Sequence, residues 1–143
     1  MKIYLFGNGN IHFEEFLDHY ITPLERVGDL KQAHFLLCDF RGLDTLMMEY
    51  LKSKTANVTV YHIGERPRYL PDKYKTKVQQ WTIIGGFTSD EVRDKAAIQE
   101  CTHYLAFDKN SNEKRKSGTL KNMELCESLN KTNLAPSISS SEN

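Results

Sequence analysis

The chain has 143 residues, 39% hydrophobic and 27% charged, with 19 basic against 19 acidic side chains and a formal net charge of zero. That composition supports one globular domain with an apolar core and excludes collagen-like, coiled-coil and wholly disordered chains. No apolar run approaches the roughly 18–20 residues that cross a bilayer, so no membrane partner is expected.

The opening MKIYLFGNGN lacks the apolar core and cleavage site of a signal peptide, which predicts a cytoplasmic protein. Ile3 to Phe6 read as a short strand cut by Gly7-Asn8-Gly9-Asn10. Phe13, Phe16, Leu17, Tyr20 and Leu24 then line one side of a helix, which Pro23 threatens near its end. Ala33 to Phe40 form an almost continuous apolar run, as expected of a parallel strand covered on both faces. Leu43, Leu46, Met47, Tyr50 and Leu51 give a second amphipathic helix, and Asn57 to Ile63 a third strand.

Residues 64–80, broken by Gly64, Pro67 and Pro71, read as a long loop of the kind that tends to be functional. Trp81 to Phe87 supply a fourth strand, and Thr88-Ser89-Asp90 cap a helix through about Thr102. His103 to Phe107 form the fifth strand, 108–117 a polar loop, and Gly118-Thr119 open a last helix to about Leu129. The fold expected is α/β: a Rossmann-like open parallel sheet of about five strands with helices on both faces, in a single domain over 1–130. Residues 131–143 are Ser/Asn-rich and poor in large apolar side chains, which predicts a disordered tail.

Such a sheet binds its ligand outside the carboxyl ends of the strands, where the strand order reverses. The loops there hold four candidate elements. Gly7, Asn8, Gly9 and Asn10 let backbone N–H groups approach a phosphate or sugar, although Gly and Asn are equally ordinary turn residues. Arg41, Gly42 and Asp44 enter the second helix, where Asp44 also complements a helix dipole. Gly85 and Gly86 precede Arg93 and Asp94, and Arg93 can fork an anion or pair with Asp90 or Glu91 on the surface. Ser117, Gly118 and Thr119 open the last helix, where free N–H groups suit an anion and Ser117 suits a plain cap.

Charge bears on the sign of the ligand. Arg66, Arg68, Lys73, Lys75 and Lys77 face only Asp72 in segment 66–77, and Lys109, Lys114, Arg115, Lys116 and Lys121 face only Glu113 in segment 109–121. These two basic loops favour an anionic ligand, while the zero net charge argues against nucleic acid. Cys38, Cys101 and Cys126 are far apart and odd in number, and the five histidines form no H-E-x-x-H, so neither a metal nor a cofactor is expected. His62, at the end of the third strand, either faces the ligand or is half-buried.

Together, the glycine loop Phe6-Gly7-Asn8-Gly9, Arg41-Gly42-Leu43-Asp44, Arg93-Asp94 with Ile98, Leu105-Ala106-Phe107 and Ser117-Gly118-Thr119 resemble the SLOG superfamily. That is the Rossmann-like group of the Smf/DprA proteins and the cytokinin-activating LOG enzymes, and the YspA-like branch is the nearest pattern. The resemblance spans about residues 1–130 and implies binding of nucleotides or nucleotide-derived small molecules. LOG enzymes and the similar nucleoside deoxyribosyltransferases carry G-T-x-x-E; here Asn122 stands at the glutamate position, and Glu124 lies about 200° further round the helix. The LOG-type glycine-rich phosphate loop is replaced by Arg115-Lys116 ahead of Ser117-Gly118-Thr119.

Two functions of different class follow as expectations. The first is a module that senses or sequesters a nucleotide-derived anion; the second is a nucleoside or nucleotide N-glycosidase or deoxyribosyltransferase-like enzyme, with Asp44 and Glu124 as candidate catalytic acids and Asp39 and Asp94 as the other acids to test. A homo-oligomer, in which a second subunit covers part of the sheet, stays open.

Overall fold

The computed structural model describes residues 1–135. Six strands form one parallel sheet in the order β4-β3-β2-β1-β5-β6. In chain order they are β1 (Lys2–Gly7), β2 (His34–Cys38), β3 (Val58–Ile63), β4 (Thr82–Phe87), β5 (His103–Phe107) and β6 (Thr132–Asn133). The expected α/β architecture is what the chain adopts.

Residue alternation sorts the core into two layers. Ile3, Leu5, Phe35, Leu37, Val58, Val60 and Leu105 face one side, where they pack on α1 (Phe13–Phe16), α2 (Thr22–Val27) and α3 (Leu43–Leu51). Tyr4, Phe6, Leu36, Cys38, Tyr61, Tyr104 and Ala106 face the other, under α4 (Asp90–Glu100) and α5 (Gly118–Ser128). Connections that step from β1 towards β4 thus use one face, and those that step back through β5 to β6 use the other, as right-handed crossovers require. Among the described residues no helix is long and apolar enough to cross a membrane.

Pro23 does not break the first helical run. A π-helical turn, Leu17–Ile21, joins α1 to α2, and the Thr22 N–H reaches back to the Leu17 carbonyl. Pro23 lacks the N–H that an α-helix would send to residue 19, and it sits at the start of α2, where no such donor is needed. The 64–81 connection lies on the α3 side, anchored by Val78 and Trp81, whose indole N–H donates to the Thr55 carbonyl at 3.0 Å.

The ordered chain continues past residue 130. β6 runs parallel to β5, the Leu134 N–H donates to the Tyr104 carbonyl at 2.9 Å, and Leu134 and Ala135 pack against the core. Residues 131–135 are therefore a sixth strand and its exit and no tail; backbone pairing holds them with a single large apolar side chain, which composition does not reveal. The rest of the expected tail, 136–143, lies outside the described residues.

Candidate functional site

The chain leaves β4 at one edge and returns to β5 beside β1, so the strand order reverses between β1 and β5. Tyr20, carried in on the π-helical turn, fills the seam there: its hydroxyl donates to the Phe6 carbonyl at 2.6 Å and accepts from the Phe107 N–H at 2.8 Å. A Cβ on Gly7 would collide with that hydroxyl. Above the seam opens a cleft of about 610 Å³.

Its first wall is a loop pair. Gly42, at φ +79°, rests against the Gly9 backbone, and the Phe40 ring and Arg41 side chain lie across the space a Gly9 side chain would need. These glycines join the β1 and β2 loops closely, so the close approach they allow is spent largely on protein. Asn8 is also committed: its amide donates to Asp108 Oδ1 (3.0 Å) and Thr119 Oγ1 (3.1 Å), and its carbonyl oxygen accepts from the Lys109 N–H (2.8 Å). Asn10 exchanges hydrogen bonds with Asn110.

The floor is an arginine among carboxylates. Arg93 is 3% exposed; its Nη1 lies 2.9 Å from Asp39 Oδ1 and 3.1 Å from Asp90 Oδ1, and its Nη2 lies 3.1 Å from Asp94 Oδ1. Burial opposes its charge, but Cys38, Asp94 and Asp90 more than offset this and raise its pKa. Asp39 also accepts from the Arg68 N–H at 2.9 Å, and Asn122 donates to Asp94 Oδ2 at 3.0 Å. Asp44, 5% exposed, accepts from the Phe40 N–H at 2.9 Å. Desolvation pushes its carboxyl well above the usual range; that N–H and Arg93 pull the other way, while Asp94 and Asp39 add to the rise. Burial likewise raises the Cys38 thiol.

The far wall is the start of α5. Ser117 caps it by accepting from the Leu120 N–H at 3.0 Å and donates to Asp108 at 2.7 Å. Burial would raise the Asp108 carboxyl, but hydrogen bonds from Ser111, Ser117, Asn8 and the Asn110 N–H hold it below its usual value. Gly118 and Thr119 face the cleft, and their N–H groups, the first in α5, have no intrahelical acceptor.

Most sequence-predicted residues meet here. The β1 loop, Arg41, Asp44, Arg93, Asp94 and the Ser117–Thr119 turn all line the cleft. Gly42 stands behind Gly9; Gly85 and Gly86 lie on outer strand β4, with Gly85 packed on His62, away from the cleft. His62 is 4% exposed and bonded to the Ile63 carbonyl, so it is a core residue. Glu124 is exposed and paired with Lys116, which removes it from the site.

Arg93 is neutralised by its neighbours, so the cations left for a ligand are others. Arg41, held 5.7 Å from the Phe40 ring centroid, and Arg115 line the cleft, and neither forms an ion pair among the described residues. Of the 66–77 loop, Arg68 reaches the mouth through Asp90 at 3.0 Å, whereas Lys75 and Lys77 line a separate groove with Ser53. Phe40, Asp90 and Asn122 belong to the site without having been singled out for it, whereas Asp39, a candidate acid from the sequence, is taken up by Arg93. Asp90 was legible as the residue one turn before Arg93; Asn122 was legible only as the residue in place of glutamate.

Compared with protein-family models, with curated proteins and with solved structures, the chain finds no match.

Proposed function

We propose that the protein binds a nucleotide or nucleotide-derived anionic small molecule in the β1/β5 cleft, as a SLOG-type sensing or sequestering module. The observation that carries this reading is the pair of uncommitted arginines, Arg41 and Arg115, set on the same cleft as the free N–H groups of Gly118 and Thr119. An anionic group at that end gains charge-assisted hydrogen bonds, and the helix dipole adds to them. Asp44 and the outer oxygen of Asp94 offer polar contacts for sugar or base groups deeper in the cleft. Three free, buried thiols fit a reducing, cytoplasmic compartment.

Mass spectrometry of small molecules released from the purified protein tests this. A phosphate-bearing nucleoside derivative is the expected finding; a neutral or cationic compound held stoichiometrically would contradict it.

The second reading is N-glycosidic bond cleavage, and Asp44 is the observation that favours it. A buried carboxyl inclined to keep its proton, facing a polar cleft, suits a general acid that protonates a departing base. The position three residues after Thr119 supplies no carboxylate, because Asn122 donates to Asp94 from there. Release of free base from nucleosides or nucleotides, lost in Asp44→Asn, would support this reading; no release from any of them would leave binding as the function.

A further inference from the structure

β4 is an outer strand of the sheet, and among the described residues no strand pairs with its free edge. Thr82 to Gly86 are exposed, and Ile83 and Ile84 retain 38% and 39% of their accessible surface. Register with β3 sets Ile83 beside Val60 and Ile84 beside Tyr61, so the two isoleucines lie on opposite faces. Edge strands are ordinarily blunted with lysine, proline or inward charge, and Thr82-Ile83-Ile84-Gly85-Gly86-Phe87 contains none of these. Register with β3 is regular over Thr82–Ile84 and shifts before Phe87, where Gly86 has φ +87°. The opposite edge, β6, is only two residues long.

We propose that β4 pairs with β4 of a second copy of this chain, antiparallel across a two-fold axis, so that two sheets join into one. An axis normal to the sheet at Ile84 sets Ile84 against Ile84 on one face and Ile83 against Gly85 on the other, which keeps both faces continuous. Charge selects the same arrangement. The segment leading into β4 carries exposed Lys73, Lys75 and Lys77 against Asp72, and the helix that follows it presents Glu91, its side chain 77% exposed, whereas Asp90 is held by Arg68 and Arg93. Antiparallel pairing brings the basic lead-in of one copy to the acidic exit of the other, at both ends of the contact. Parallel pairing would set lysine beside lysine and acid beside acid. The contact is self-complementary, so it closes at two copies.

Light scattering on the eluting full chain, over about 1–100 μM, reads this directly. The expected mass at the upper end is twice the 16.5 kDa chain. Ile84→Lys returns the mass to one chain with an unchanged circular dichroism spectrum. Glu91→Lys weakens the dimer roughly tenfold, and adding Lys77→Glu to the same chain restores it. A single-chain mass at every concentration, a mass beyond two chains, or a dimer indifferent to Ile84→Lys would overturn the proposal. Should Ile84→Lys fail to fold, the charge exchange decides: rescue by the second substitution supports the pairing, and no rescue refutes it.

Discussion

Arg93 Nη1 lies 2.9 Å from Asp39 Oδ1, and both side chains are removed from solvent, 4% and 0% exposed. An arginine from α4 thereby closes on the carboxyl end of β2, 54 residues away. Its role in the cleft follows from this pairing: it fixes the floor and orients Asp94 and Asp90, and it has no charge left over for a ligand.

Arg93→Ala should accordingly act on stability first. Removing the arginine leaves the fully buried Asp39 carboxylate with only the half-exposed Arg68 beside it, a loss of roughly 3–5 kcal/mol. Urea denaturation checks this. A loss below about 1 kcal/mol, within the range of an exposed pair, would show that the cluster is solvated.

Tyr20→Phe should cost roughly 1–3 kcal/mol, because the Phe6 carbonyl and Phe107 N–H lose their shared partner in a buried seam. Ring volume is unchanged, so the loss reports the hydroxyl alone. Hydrogen exchange at the Phe107 amide should accelerate in the variant; an unchanged rate would mean the strands close on each other without Tyr20.

The Asp44 carboxyl is raised in the folded protein, so between the unfolded value, about 3.9, and the higher folded value the native state holds more protons than the unfolded chain. Stability from this group is therefore present below that window and falls as pH rises through it. Asp44→Asn, which keeps an acceptor for the Phe40 N–H, should raise the melting temperature at neutral pH, with the gain vanishing towards pH ~4. A gain equal at all pH values would place the ionisation elsewhere.

Truncation after residue 130 removes β6, the Leu134 hydrogen bond and its core contact, and should lower the melting temperature by about 2–8 °C. Truncation after Ala135 keeps those contacts and serves as the reference. Equal melting temperatures for the two would show that β6 contributes nothing.

The alternation of elements was legible because β2, with the buried run Phe35 to Cys38, and the helix repeats Leu43-Met47-Leu51 carry their burial in their periodicity. The cleft was legible because parallel order fixes which loops meet. Partnership was not: Arg93 reads equally as an anion fork or a surface pair until Asp39 is brought beside it. Gly85 and Gly86 resemble ligand-loop glycines, but they lie on an edge strand where Gly85 makes room for His62. β6 escaped notice because hydrogen bonds, which leave no apolar pattern, hold it.

Titration of the protein with a nucleoside 5′-monophosphate and with the same nucleoside lacking phosphate, repeated on Arg41→Ala and Arg115→Ala, tests the central claim most directly. The nucleotide should bind and the nucleoside bind far more weakly, and each arginine variant should lose about 1.5–3 kcal/mol, roughly 10- to 150-fold in affinity. Equal binding of the two compounds, or arginine variants as tight as the native chain, would contradict an anion site at the start of α5.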